Sequence, residues 1–405
     1  MSDNQADVRI GVEATGSFRP AAQTSPLHST IRVRNYLSRQ IVATMFPLVG
    51  GFLFYGWRAL GATLSVVVVA LATLAVLRGV GWRGRQMRPT HVLWLALLLS
   101  MTLPAHLFSA TPVNGQAIWP ILPAAGIALA LLCWLLGGLG SQRVQPAVIT
   151  FLLLFVFFHT ALTPRYVLQI NHLFLGDLLH ADPAGPPIAS RDSWLERSPS
   201  PSFDALRVEP VPDVLTPYTS AQQRPDRESL TLQMLIRDQL PPLEDVIVAG
   251  HSGPIGAACP VAVIIGGLFL LYNGLLDFRI PLLGTIAAAL ALLILPIPII
   301  ITDTTINWSW LAFRPQFLGW PTALTFVNYE LLCSPLLLVL FFLSNTPGLR
   351  PLTRPGRAVF ALALGVLSAV FQLYASASIG PYVALLVVSL ISPTLDRILG
   401  PNTLV

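Results

Sequence analysis

The chain has 405 residues, 54% of them hydrophobic and 11% charged, with a formal net charge of +5. A soluble domain carries about 25% charged residues, so the composition excludes an ordinary soluble enzyme and places most of the chain in lipid. There is no Walker loop and no dinucleotide fingerprint, and the basic residues, all Arg, suit an anionic lipid surface better than nucleic acid.

The first forty residues are polar and Arg-bearing, and do not read as a cleaved secretory signal. Apolar runs near the length that crosses a bilayer follow. Five lie at 41–57, 62–77, 91–107, 118–136 and 147–161. After a polar gap come 257–275, 280–301, 323–343, 358–374 and 379–391, the last two short enough to be tilted or partly re-entrant. With the N-terminus cytoplasmic, the inner segments hold fifteen Arg and the short outer loops hold two, Arg58 and Arg314. That asymmetry supports ten spans with both termini inside. It places 163–250 outside, where 165–250 holds seven Arg and twelve acidic residues. Within it, "ESLTLQMLIRDQL" reads as a short amphipathic helix with Leu230, Met234 and Leu235 on one face.

The expected fold is an all-α polytopic membrane protein of about ten transmembrane helices. Its parts are a cytoplasmic tail (1–40), a five-helix half (41–162), a long extracytoplasmic loop (163–250), a second half (251–396) and a C-terminal tail (397–405). An odd number of spans per half means that related halves are inverted repeats. Two Gly/Pro-rich cytoplasmic turns, "GGLGSQRVQPA" after span four and "SNTPGLRPLTRPGR" after span eight, offer weak internal likeness.

Three places can carry chemistry. "GHSGPIGAACP", 250–260, combines small residues with Pro254 and Pro260 ahead of span six. Free amides at such a helix start suit a phosphate or an electron-rich ring oxygen; the plainer reading is a membrane-entry turn packed on a neighbouring helix. Glu330, in "FVNYELLCSP", is a carboxylate inside an apolar run, with Asn328 two residues before it. It is an ion-path candidate by default, or else a residue snorkelling to the outer interface. Thr216, in "DVLTPY", precedes a Pro in the outer loop and is ordinary turn material by spacing. The histidines are scattered and no metal site is assigned. Cys133, Cys259 and Cys333 read as packed thiols.

The stretches "SPLHSTIRVRNYLSRQIVATMFPLVGGFLFYGWRAL", "LLLSMTLPAH", "GGLGSQRVQPAVI", "GPIGAACPVAVIIGGLFLLYNGLLDFRIP", "FFLSNTPGLRPLTRPGRAVFALALGVL" and "ALLVVSLISPTLD" run in order from about Ser25 to Asp396. In them the chain resembles the RnfD/NqrB family: the RnfD subunit of the Rnf electron-transport complex and its relative, the NqrB subunit of the Na⁺-translocating NADH:quinone reductase. The resemblance implies two inverted five-helix halves in a bacterial cytoplasmic membrane. It also implies partner membrane subunits, an extracytoplasmic flavoprotein or electron carrier, and electron flow coupled to Na⁺ or H⁺ movement. It implies FMN held covalently through its phosphate on a Thr, matched best by Thr216. A second flavin, riboflavin or another, would bind non-covalently, with Gly253, Ile255, Gly256 and Cys259 as its expected contacts.

The chain departs from that pattern. Asp213, Val214 and Leu215 stand where the family has Ser, Gly and Ala before the Thr, which counts against covalent attachment. Ala257 and Thr346 replace family carboxylates, leaving Glu330 and Asp303 as substitutes. Two other functions stay open: a flavin-free anchor docking an extracytoplasmic carrier through the acidic loop, and a solute channel or transporter.

Overall fold

The computed structural model describes residues 33–79, 88–108, 118–137, 142–162, 166–168, 205–207, 243–248, 253–302, 305–310 and 315–399. Thr216, Asp303 and the 228–240 amphipathic stretch lie outside the described residues.

The helices are α1 (Val33–Gly79), α2 (Pro89–Thr102), α3 (Ile121–Leu136), α4 (Pro146–Leu162), α5 (Leu243–Val248), α6 (Pro260–Tyr272), α7 (Arg279–Ile294), α8 (Pro315–Cys333), α9 (Leu336–Leu338), α10 (Arg354–Tyr374) and α11 (Gly380–Leu399). Pro opens α2, α4 and α6, where its missing amide would have had no helical partner. α1 is interrupted at Gly56, whose φ of 62° and ψ of −149° leave the helix. Its two limbs, 33–55 and 57–79, carry the first two expected spans. Among the described residues, three helices reach span length by length and composition, α1, α10 and α11, or four if the bent pair of α8 and the 336–343 segment is one span. Five shorter apolar helices accompany them, over 89–102, 121–136, 146–159, 260–272 and 279–294.

Several expectations need correction. The fold is mostly helical but not all-α. β1 (Tyr166–Leu168) pairs antiparallel with β2 (Ala205–Arg207), and β3 (Pro296–Thr302) with β4 (Thr305–Trp310). The seventh span is expected to stay helical to 301, yet α7 stops at Ile294 and β3 takes the rest. The cause lies in "LPIPIII": two prolines withhold helical amides, and β-branched Ile favours the strand. The last two helices, 21 and 20 residues long, are full-length rather than short. The stretch expected as the third span also breaks. α2 ends at Thr102, Leu103 is extended ahead of Pro104, and a 3₁₀ turn follows at Ala105–Leu107.

The stretch expected as the eighth span breaks most sharply. α8 starts at Pro315, earlier than expected, and ends at Cys333. Pro335 has no amide to continue the ladder and its ring crowds the preceding turn, and the axis bends by 58°. After α9 the backbone widens into a π turn, Val339–Leu343, closed by Ser344 N donating to Val339 O at 2.9 Å. Glycines make room for it. Gly266 and Gly267 of α6 lie against the Phe342 and Phe341 rings, and Gly284 of α7 lies against Leu340.

The turn after the π segment is held by two carboxylates. Asp396 of α11 accepts from Leu352 N at 2.9 Å and Thr353 N at 3.2 Å. Thr353 Oγ1 caps α10 by accepting from Gly356 N. Arg357 bonds Asp277 Oδ2 at 2.9 Å, Pro351 O at 3.0 Å and Leu352 O at 3.1 Å. Burial by itself would raise the Asp277 carboxyl pKa. The Arg357 hydrogen bond, the Arg279 amide and both guanidinium charges outweigh it and hold the group below its ordinary value. The sign follows from linkage: a depressed folded pKa adds stability above the unfolded value, and that stability is lost as pH falls through the folded one. The thermal midpoint of the detergent-solubilised protein should therefore exceed that of Asp277→Asn by a constant margin above about pH 5, and the margin should close below about pH 4.

Candidate functional site

The segment Gly253–Pro260 closes the gap left where α2 ends at Thr102. At that break the carbonyls of Met101 and Leu103 face away from any helical donor. Gly256 N donates to Met101 O and Ile255 N to Leu103 O, both at 2.9 Å. Ala257 N donates to Pro254 O at 3.0 Å. The Tyr55 hydroxyl donates to Gly253 O and accepts from Gly253 N, each at 3.1 Å. Gly51 lets α1 pass directly over the Ile255 carbonyl, and Gly256 presses against Met101. Gly50 lies beside Cys259 and Ala262 in the same way.

The amides of Gly253, Ile255, Gly256 and Ala257, expected to be free for an anion or a flavin edge, are therefore used within the protein. The loop is packed on α1 and on the end of α2. Gly253, Ile255, Gly256 and Cys259 do come together, as a seam joining α6 to α1 and α2. No reaction step is assigned to a flavin there. Tyr55→Phe removes both hydroxyl bonds and should cost about 1–2 kcal/mol, read as a lowered thermal midpoint in detergent.

Glu330 is the stronger candidate. It is 1% exposed, three residues before the Cys333 end of α8, so it does not snorkel. Ala323, Phe326, Val327 and Cys333 lie three, four or seven residues from it and form its helix face. That face builds one buried cluster with Ala291 and Leu292 of α7 and Ala369 and Leu373 of α10. Asn328, expected to act beside it, is exposed. Two residues apart on a helix is about 200°, so the two side chains point to opposite sides. Thr346 is buried and its Oγ1 donates to Leu343 O at 3.2 Å, while Asn345 Oδ1 accepts from Arg350 at 3.1 Å.

A buried carboxylate beside an interrupted helix is what an ion path across apolar surroundings requires. Two further buried polar residues escape the sequence reading. Ser368 and Gln372 lie on α10, the helix that contributes Ala369 and Leu373 to that cluster. Their signal is two polar residues four apart in "LSAVFQ".

The family model described as NQR2, RnfD, RnfE matches residues 21–404. The chain belongs to this family. Three similar members of the NQR2, RnfD, RnfE family are each named as the D subunit of an ion-translocating oxidoreductase complex. The one from Aeromonas hydrophila is 24% identical over 368 residues, covering 86% of this chain and 88% of the relative. The one from Pseudomonas aeruginosa is 26% identical over 345 residues, with 83% and 81% covered. The one from Alcanivorax borkumensis is 24% identical over 390 residues, with 94% and 95% covered.

Proposed function

We propose that the chain is the membrane subunit of an Rnf/Nqr-type electron-transport complex that couples flavin-mediated electron transfer to Na⁺ or H⁺ translocation. The family match over residues 21–404 carries this reading, and relatives of similar length, named for an ion-translocating oxidoreductase complex, support it. The subunit sits in a bacterial cytoplasmic membrane among other subunits of the complex and is not catalytic alone. Its outer loop, 163–250, faces an extracytoplasmic flavoprotein or carrier.

The same reading takes the chain as ten spans in two inverted halves, 41–162 and 251–396, with both termini cytoplasmic. α1, at 47 residues, is about 70 Å long, more than twice the roughly 30 Å hydrocarbon core, which favours two spans divided at Gly56. The packing also favours the repeat. Spans two and four meet where Gly126 lies 2.9 Å from Val66 O and 3.0 Å from Ala70 N, measured from an added Cβ. Their counterparts, spans seven and nine, meet where Gly365 lies against Gly284 O and Ala288 N. Spans three and eight, also counterparts, are both interrupted at a Pro. The Gly/Pro-rich turns after spans four and eight are not counterparts under this relation, because span four corresponds to span nine.

Purification of the complex from its native host tests the proposal. Partner subunits and flavin absorbance should co-purify. In-gel fluorescence on the denatured band, abolished by Thr216→Ala, would establish covalent FMN at that residue. A second reading, the flavin-free anchor, draws on the occupied amides of the Gly253–Ala257 loop and on Asp213–Leu215 ahead of Thr216. Partner subunits without any flavin on this chain would select it.

A further inference from the structure

Two arginines beside the Asp277 carboxylate are used differently. Arg357 spends all three of its nitrogens inside the protein: Nε on Pro351 O at 3.0 Å, Nη1 on Asp277 Oδ2 at 2.9 Å and Nη2 on Leu352 O at 3.1 Å. Arg350 spends one. Its Nη1 donates to Asn345 Oδ1 at 3.1 Å and, more weakly, to Leu275 O at 3.5 Å. Its Nε and Nη2 make no hydrogen bond among the described residues, and neither is sealed from the surface. Nor does Arg350 form an ion pair among those residues. The edge left open, Nε with Nη2, is the fork that matches two oxygens of an oxyanion at once.

A second donor stays beside that edge. Asn345 is 0% exposed; its Oδ1 holds Arg350, and its Nδ2 is buried without a hydrogen-bond partner among the described residues. Both atoms belong to one planar carboxamide, so the orphaned donor is held next to the guanidinium. Native proteins rarely leave such a donor unsatisfied. Charge points the same way. The Arg350, Arg357 and Arg279 guanidiniums all act on Asp277, whose carboxylate is already bonded to Arg357 and to the Arg279 amide. Asp396, the other carboxylate of this turn, is taken up by the Leu352 and Thr353 amides. The Tyr36 hydroxyl accepts from Gln40 Nε2 at 3.1 Å, which leaves its own proton to donate, and the Arg350 charge reaches it. A planar carboxylate would be filled by the fork alone. Donors beyond the fork suit a tetrahedral group with further oxygens.

We propose that Arg350 and Asn345 form a binding site for a phosphate oxyanion in the turn between the π segment and α10, with Tyr36 at its rim. The site is independent of the ion-path reading of Glu330. In the topology proposed above this end of the bundle faces the cytoplasm, where anionic phospholipid headgroups and free phosphate both carry the group.

The test uses the full chain purified in a maltoside detergent. The probes are inorganic phosphate and short-chain phosphatidylglycerol below its micellar concentration, with chloride at matched ionic strength as the control. Thermal midpoints and ³¹P line broadening give an apparent binding constant. Phosphate or phosphatidylglycerol should stabilise the wild type where chloride does not. A response to phosphatidylglycerol alone identifies a lipid headgroup as the source, and an equal or greater response to inorganic phosphate identifies free phosphate. Arg350→Gln should weaken the constant by about tenfold or more, the scale of losing a hydrogen bond to a charged group. Arg350→Lys keeps the charge without the fork and should fall between. Asn345→Asp keeps the acceptor that holds Arg350 and puts a negative charge in place of the orphaned donor, so it should weaken binding at least as much as Arg350→Gln. If Arg350→Gln does not fold, Arg350→Lys and Asn345→Asp carry the comparison. A purely structural role for Arg350 would lower the midpoints of these variants and leave their anion response unchanged. That result, or a wild type that responds to phosphate and phosphatidylglycerol no more than to chloride, overturns the proposal.

Discussion

Gly256→Val is expected to remove most of the chain from the membrane fraction. An added side chain at this position meets Met101 at its Cβ and, at 3.0 Å, at its Cα. Those atoms belong to the buried end of α2 and have no flexible tip that could swing aside. The loop must lift instead, and the bonds from Ile255 N and Gly256 N to Leu103 O and Met101 O go with it. Two carbonyls at the Pro104 break would then be stranded in apolar surroundings. At about 1–3 kcal/mol each, their loss alone is a large share of the roughly 5–15 kcal/mol that holds a typical domain folded. Gly51→Ala attacks the same seam from α1, against the Ile255 carbonyl. Gly79→Ala is the control, since nothing lies within 4 Å of it. Yield and thermal midpoint of a fluorescent fusion report the difference. A Gly256→Val chain that accumulates and melts like Gly79→Ala would show that the seam does not hold the halves together.

This seam also marks the limit of what the sequence discloses. Apolar runs locate the helices because lipid demands them, and Pro at a helix start or Gly at a turn is legible locally. Gly137, Gly274 and Gly348 all take positive φ at helix ends or turns. The fate of the Gly253, Ile255 and Gly256 amides is not local. Their partners at Tyr55, Met101 and Leu103 lie about 150–200 residues away, and no spacing rule connects them. The 296–301 stretch is misread for another reason: a continuous apolar run has no periodicity to separate strand from helix, and Pro296 and Pro298 are the signals to weigh. By contrast, the separation of Glu330 from Asn328 is legible, since residues two apart on a helix do not share a face. The Ser334–Pro335 break is marked by its Pro, whereas the π turn depends on Gly266, Gly267 and Gly284 of other helices.

Glu330→Gln is expected to lower redox-driven ion uptake by the reconstituted complex by about tenfold or more, equivalent to about 1.4 kcal/mol at the rate-limiting barrier. The substitution keeps the shape of the side chain and removes its charge, so α8 should still pack through Phe326, Val327 and Cys333. Burying an ion among apolar helices is costly unless the protein supplies a compensating charge. Glu330 is a fully buried carboxylate at the end of α8, next to the 58° bend that follows it. Asn328→Leu, on the exposed side of the same helix, should leave uptake within about twofold, as surface changes away from packed features generally do. The pair separates a role of this one carboxylate from a general sensitivity of α8. Uptake in vesicles and electron transfer in detergent should be measured on the same preparations. Loss of uptake with electron transfer retained places Glu330 in the ion path, whereas full uptake in Glu330→Gln removes it from that path. Loss of both, with the partner subunits still bound, would make the carboxylate a requirement of the electron route instead.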